Sequence, residues 1–443
     1  MEIRLSDHFT YGRLIRFTLP SIGMMIFTSI YGIVDGFFVS NFVGGTAFSA
    51  MNLIMPFIMI LSTVGFMFGT GGSALVAMTL GMGEKKKANE IFSLLIYLLI
   101  GLGAVLGIGG YFYVEKVALF LGATPQMLPY CLVYTRISMI SLPLYMLQSA
   151  FHSFMITAER PQTGFQVTVA AGLTNMVLDG LFMGVLHTGI GGAAAATVIG
   201  EFVGGGVPLI YFARKNDSLL RLGRPGLKAE YIVRTVTNGF SELMSDLSMS
   251  FISMIYNFQL MHYAGQNGVA AYGIIMYTNF IFAAVFLGYT MGLEPVVGFH
   301  YGAENRGELS NLFRRSLVLT CAVSVVMLLF SELFAVPLAM IFAGYDEALL
   351  QMTVGAMRIY AISFLAMGFN IFGSGFFTAL NNGLLSAVIS FVRLWVFQTG
   401  AVLLLPRFFG ITGVWIAIVA AELLSLLVTA GLLWANRVRY GYM

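Results

Sequence analysis

Charge is what this chain has least of. Only 10% of its 443 residues are Asp, Glu, Lys or Arg, against roughly 25% in a soluble domain. Length alone suggests about three soluble domains, but there is too little charge to clothe them, and no segment is long and polar enough to be an extramembrane module. Cysteine is nearly absent: Cys131 and Cys321 stand in apolar surroundings without disulfide or metal spacing and read as small hydrophobes. The five histidines lack ligand spacing as well. No glycine-rich nucleotide loop with its lysine occurs, which argues against ATP hydrolysis. No nucleophile stands beside a base, so an enzyme is not expected, nor is a cofactor. The net charge of +3 is spread over loops and makes no nucleic-acid surface. Residues 1–16 are polar and amphipathic, without the apolar core of a signal peptide, so no cleavage is expected.

What fills the chain instead is hydrocarbon. Hydrophobic residues make up 58% and the mean hydropathy is +0.87. A bilayer core of ~30 Å takes about 20 apolar residues per helix, and such runs recur from end to end. Backbone polar groups in lipid must pair internally, which leaves helices or closed barrels; runs this long exclude the short alternating strands of a barrel. Twelve spans are predicted, at about 14–40, 47–80, 91–113, 130–158, 163–187, 191–213, 231–261, 268–300, 312–334, 350–379, 384–405 and 411–435. They are numbered spans 1 to 12. Several exceed the minimum and are expected to tilt or protrude.

The loops differ in charge. On the side that holds both termini fall 18 of the 23 Lys and Arg residues, among them Lys85, Lys86, Lys87, Arg214 and Arg315. The other side has Lys116 and Arg407, while Arg136, Arg358 and Arg393 lie within spans. The positive-inside rule then puts both termini in the cytoplasm, with the chain in the plasma (inner) membrane as a multi-pass protein.

The two halves repeat. One constant offset links Glu201 to Glu422, Gly44 to Gly265, Gly71 to Gly292, Gly81 to Gly302 and Phe92 to Phe313. Six spans per half make the repeat parallel, about an axis along the membrane normal. The reading is an all-α membrane protein of two six-helix lobes, an N-terminal lobe at 1–213 and a C-terminal lobe at 229–443. A basic cytoplasmic linker, 214–228, joins them. Two lobes about a central cleft suit alternating access better than a channel, since no short filter-like segment lies between spans.

Ionisable groups at bilayer depth are costly, so each is a functional candidate. Asp35 is in the outer half of span 1. Asn175 and Asp179, four residues apart, share one face of span 5, and Thr197 is on span 6. Together they offer hard oxygens for Na+, or a crowded carboxylate pair that takes a proton. Glu242 and Asp246 share a face of span 7. Glu201 and Glu422, equivalent by the repeat, suggest a common structural role, and Glu294, before Pro295, suggests a bond to backbone freed by the proline. Arg393 needs a partner that the sequence does not name. Pro20 deletes a backbone hydrogen bond on the helix that carries Asp35 and makes a ready hinge. The 27 methionines include candidates for lining an adaptable cavity.

These features resemble the multidrug and toxic compound extrusion (MATE) family, within it the branch named for DNA-damage-inducible proteins. The likeness spans nearly the whole chain. It rests on Pro20 and Asp35, on Asn175 with Asp179, on Gly268-Val269-Ala270-Ala271-Tyr272-Gly273, and on Gly413-Val414-Trp415-Ile416-Ala417 leading to Glu422. The resemblance implies that Asp35, Asn175, Asp179 and Thr197 form the cation or proton site, and that bending of span 1 links it to drug release. Glu242 matches an acid that other branches use for coupling, with Asp246 beside it, either of them instead attracting a cationic substrate. Span 10 lacks the acid those branches carry, which puts a second ion site in doubt.

The expected function is an H+- or Na+-coupled antiporter that exports amphipathic, often cationic compounds, working as a monomer in the lipid bilayer. The alternative within the superfamily is a lipid-linked oligosaccharide flippase, which requires a cleft rich in Arg and Lys. The topology is directly testable. In a cysteine-free background, Lys116→Cys and Arg407→Cys should react with an impermeant thiol reagent on intact cells, and Lys86→Cys only after permeabilisation. The opposite labelling pattern would invert the protein.

Overall fold

The structure, a computed structural model, describes residues 3–344 and 346–443, and every regular element among them is helical. Spans 1 to 6 run Tyr11–Val43, Gly45–Gly81, Lys85–Phe120, Leu128–Thr157, Pro161–Val185 and Ile190–Ala213. The helical stretch Ala229–Gly302 breaks at Gly265 and Gly383–Tyr440 breaks at Gly410. The breaks yield span 7 (229–264), span 8 (266–302), span 11 (383–409) and span 12 (411–440). Span 9 is Arg306–Ala343, and span 10 is Glu347–Ala361 plus Phe364–Ala379, bent by 48°. Twelve spans result among the described residues. Most outrun their apolar cores, because polar residues such as Lys85–Lys87, Arg306 and Glu308 end the hydrocarbon run without ending the backbone ladder.

The repeat is visible in the backbone. Gly44 (φ 113°) and Gly189 (φ 67°) turn the chain at the outer ends of the N-terminal lobe, and their repeat partners Gly265 (φ 61°) and Gly410 (φ 58°) do so in the C-terminal lobe. Only glycine enters this region without strain. Between them the register slips. The turn after span 4 has positive φ at Glu159, and its twin after span 10 has it at Asn381, one position beyond the repeat offset, with the same set of backbone bonds around each. The gap-free alignment read from sequence therefore shifts by a single position here and returns by Gly410.

The lobes meet backbone to backbone at the end that carries the termini. A Cβ on Gly81 would strike the carbonyl of Phe299, and one on Gly302 would strike the carbonyl of Met78. These contacts are reciprocal, since Met78 and Phe299 are themselves repeat partners. Gly71 and Gly239 seal the same face about three to four turns further in, against Thr235, Gly239 and Met67. Asn381 donates to the carbonyl of Ala74 at 3.2 Å across the interface. Thr63, which donates to Asp246 at 2.8 Å, is the outermost hydrogen bond between lobes among the described residues. One turn beyond it, Met59 and Ile60 are exposed, so a cleft opens toward the opposite end.

Span 1 belongs to both lobes. Its first third packs on span 8, where Gly288 lies against Ile22 and Gly292 against Thr18 and Ser21; its outer part lies on span 5, with Phe27 and Tyr31 over Gly172. Pro20 sits in the pinned third, in a helix that stays continuous through it. Ahead of span 1, a short segment straps the two lobes together. Leu5 N–H donates to Glu159 at 2.6 Å, Phe9 N–H to Glu308 at 2.9 Å, and His8 meets Glu308 at 2.6 Å. Leu5 and Phe9 are fully buried. Burial pushes the Glu159 carboxyl up, against the Leu5 bond that holds it down.

Gly81→Val or Gly302→Val should lower stability by about 1–3 kcal/mol, the usual penalty of overpacking, seen as a lower Tm in detergent. Gly101→Ala, whose Cβ meets nothing, should leave the Tm unchanged or raise it slightly, since alanine favours a helix interior over glycine. Equal Tm values for all of them would mean the lobes are not in backbone contact.

Candidate functional site

A cavity of about 80 Å³ lies inside the N-terminal lobe, between spans 1, 2, 4, 5 and 6. Asp35, Asn175 and Thr197 line it. Asp179, fully buried, is the last α-helical residue of span 5 before a wide π-helical turn, Gly180–Val185. Turns of this kind concentrate at functional sites. Asp179 faces Asp35 at hydrogen-bonding range. Asn175, one turn away, donates weakly to Thr197 at 3.4 Å. The four residues singled out in the sequence thus stand together.

Their oxygens are short of donors. Asp35 Oδ1, both oxygens of Asp179 and Asn175 Oδ1 are buried without a hydrogen-bond partner. Two facing carboxylates repel, and they bond only when a proton or a cation sits with them. The set is oxygen only, and no group of three or more His, Cys, Asp or Glu able to hold a metal occurs among the described residues. Such donors suit H+ or Na+ and not a zinc-type ion.

Glu201 is a third acid in this cavity that sequence reasoning set aside as structural. It lines the same chamber with Tyr31, Tyr145 and Gln148, it is 7% exposed, and its Oε2 has no partner. The Ser141 hydroxyl is within its reach. Its repeat twin Glu422 behaves differently. Arg393 grips Glu422 through Nε at 2.9 Å and Nη2 at 2.7 Å, and Asn370 donates to it at 2.7 Å. The missing partner of Arg393 is therefore Glu422, and the shared role expected of the two glutamates does not hold. A signal was present in the sequence: the N-terminal lobe has no cation at the position that Arg393 takes in the repeat.

The C-terminal acids form a separate group. Asp246 bonds Thr63 across the lobes and is exposed to the cleft, while Glu242 on the same face is half-buried. Glu294 lies near Glu242 and is 3% exposed. Its Oε2 is without a partner, so the cap on proline-freed backbone expected of this residue is not completed by that oxygen.

The MatE family model matches residues 20–181 and 243–401, well over half of the chain. The chain belongs to the MatE family. Its repeat boundaries agree, since the two matched stretches fall one in each lobe. Among curated relatives, the multidrug export protein MepA of Staphylococcus aureus (strain NCTC 8325 / PS 47) is 23% identical over 423 residues, covering 93% of this chain and 91% of MepA. MepA of Staphylococcus saprophyticus is 23% identical over 426 residues with the same coverage. Among solved structures, MATE in complex with MaL6 superposes with a TM-score of 0.91 at 22% identity, covering 98% of this chain and 97% of that one. An outward-facing MATE transporter matches as well, with a TM-score of 0.91 at 22% identity and coverage of 98% and 96%. MatE proteins are membrane transporters and not enzymes, and the fold here is theirs.

The Arg393–Glu422 pair of this MatE chain yields a prediction. Arg393→Met should destabilise the protein by about 3–5 kcal/mol, because it strands a buried carboxylate, and Arg393→Met with Glu422→Gln should recover most of the loss. Thermal unfolding in detergent reads both. A single variant as stable as the double would mean the pair is not buried as described.

Proposed function

We propose that this protein is a multidrug exporter, an antiporter driven by H+ or Na+, acting as a monomer in the plasma membrane with both termini cytoplasmic. The observation that carries the reading is the buried Asp35–Asp179 pair, face to face and short of donors. The names of the MepA relatives support the export of drugs.

In this mechanism, the ionised pair carries uncompensated negative charge in a low-dielectric chamber. Binding one cation relieves that charge, draws spans 1 and 5 together and shrinks the cavity beside them. Substrate held there loses its room and leaves through the cleft above Thr63. Span 1 suits this motion, since its first third is pinned to span 8 while its outer part faces span 5. Pro20 lies in the pinned third and lacks the N–H that would stiffen the helix there. A ligand shifts such an equilibrium only by its difference in affinity for the two states, which here is the repulsion that the cation removes. Glu242 and Asp246, facing the cleft, attract cationic compounds on entry.

The flippase alternative needs free cations in the cleft. Arg393 is held by Glu422, Arg358 lies 3.7 Å from Glu332, and Arg136 lies over the ring of Tyr111. Two of the three face a carboxylate, and Arg136, the one without an acid beside it, is a single cation rather than the Arg- and Lys-rich cleft that a pyrophosphate requires.

Liposomes test the coupling. A Na+ gradient and a proton gradient are imposed separately while accumulation of a fluorescent cationic dye is followed. One gradient should drive transport, and Asp35→Asn and Asp179→Asn should each reduce driven transport at least about tenfold, as loss of an essential ionisable group in the bilayer does. If neither gradient drives uptake, or both variants match the wild type, the coupling assignment is wrong.

A further inference from the structure

The two lobes treat one glutamate in opposite ways, and the difference has a defined shape. In the C-terminal lobe, Glu422 is 1% exposed and is neutralised by a planar guanidinium that forks onto both its oxygens. Asn370 and, through it, Thr429 complete the clamp. Counting from the matching turns at Glu159 and Asn381, span 5 and span 11 begin at Pro161 and Gly383. Arg393 then corresponds to Ala171, and Asn370 corresponds to Gln148. Both N-lobe residues line the cavity beside Glu201. The N-terminal lobe thus keeps the glutamate and the amide but replaces the cation with a methyl group and an open chamber.

Three observations show that the glutamate is not balanced from within its own lobe. Glu201 Oε2 and Gln148 Oε1 are both buried without a partner. No Lys or Arg lines the chamber. Its walls are tyrosines and methionines, among them Tyr31, Tyr134, Tyr145, Met55 and Met59, surfaces that receive flat, delocalised cations. A carboxylate flanked by aromatic faces, with an amide oxygen beside it, accepts several N–H bonds in one plane.

We propose that Glu201 anchors the cationic head of the transported compound, a planar amidinium or guanidinium, in the place that the Arg393 side chain takes at Glu422. The C-terminal lobe carries a covalently attached copy of the ligand that the N-terminal lobe collects from solution. Glu201 is thereby a specificity residue, distinct from the Asp35–Asp179 coupling pair. Cations that present N–H groups in a plane are favoured over quaternary ammonium compounds, which offer no N–H. This rests on the reading of the N-lobe cavity as the substrate chamber.

The test is calorimetric titration of the purified full-length protein in detergent, without an ion gradient. Its probes are benzamidine, its neutral isostere benzamide, and phenyltrimethylammonium. Benzamidine should bind the wild type, and the other two at least about tenfold more weakly, the difference expected when a charge-assisted bidentate contact is lost. Glu201→Gln, equal in size, should weaken benzamidine binding by at least about tenfold. Ala171→Arg, which rebuilds the C-lobe pair inside the N-terminal lobe, should abolish it while keeping a cooperative thermal transition. The proposal falls if the wild type does not bind benzamidine, if benzamide binds equally well, or if Glu201→Gln binds within about threefold of the wild type. Should Ala171→Arg fail to fold, the isosteric Glu201→Gln decides alone. Failure here leaves the gradient-driven assay to be read independently, and failure of coupling leaves this titration intact.

Discussion

A carboxylate held among apolar helices must find a cation, take up a proton, or repel its neighbours, and this bundle settles the matter within the chain in one lobe and leaves all three outcomes open in its twin. Arg393, Asn370 and Glu422 form a closed set in which charge and hydrogen bonds are balanced within the chain. Asp35, Asp179 and Glu201 form an open set around a cavity, with oxygens that lack donors. The closed set is balanced whatever is bound. In the proposed mechanism, the open set makes the conformation of its lobe depend on what arrives from outside.

That dependence needs a frame stiff enough to transmit it. Reciprocal glycine contacts, Gly81 on Phe299 and Gly302 on Met78, let two backbones touch where side chains would hold them apart. The N-terminal strap adds bonds to Glu159 in one lobe and Glu308 in the other. The sealed end is therefore held by backbone and buried polar contacts. The opposite end, above Thr63 and Asp246, has no comparable seam among the described residues. Span 1 joins the two regimes, its first third pinned on span 8 and its outer part carrying Asp35 into the cavity.

Much of this was readable from the residues. Apolar runs mark the spans because lipid leaves a backbone no alternative to the helix, and Asn175 and Asp179 share a face because four residues make about one turn. The repeat followed from paired glycines, whose turn geometry admits little else. Other features escaped for physical reasons. The strap is a loop whose two key bonds reach from Leu5 to Glu159 and from Phe9 to Glu308, and no local pattern encodes such a reach. The slip in register between Glu159 and Asn381 is a backbone event, and sequence similarity there still favours the unslipped alignment.

Sequence alone determined the solvent, the number of spans, the pseudo-symmetry and the short list of membrane-depth acids, because hydrophobicity, helical period and repeat spacing are local properties of the chain. Tertiary structure decided what each acid does. Glu201 and Glu422 are the same residue at equivalent positions, and only the packing of spans 5 and 11 against spans 6 and 12 sets Ala171 beside one and Arg393 beside the other. Whether a buried charge is balanced depends on what lies within a few ångströms of it in space, and that distance is fixed by the fold.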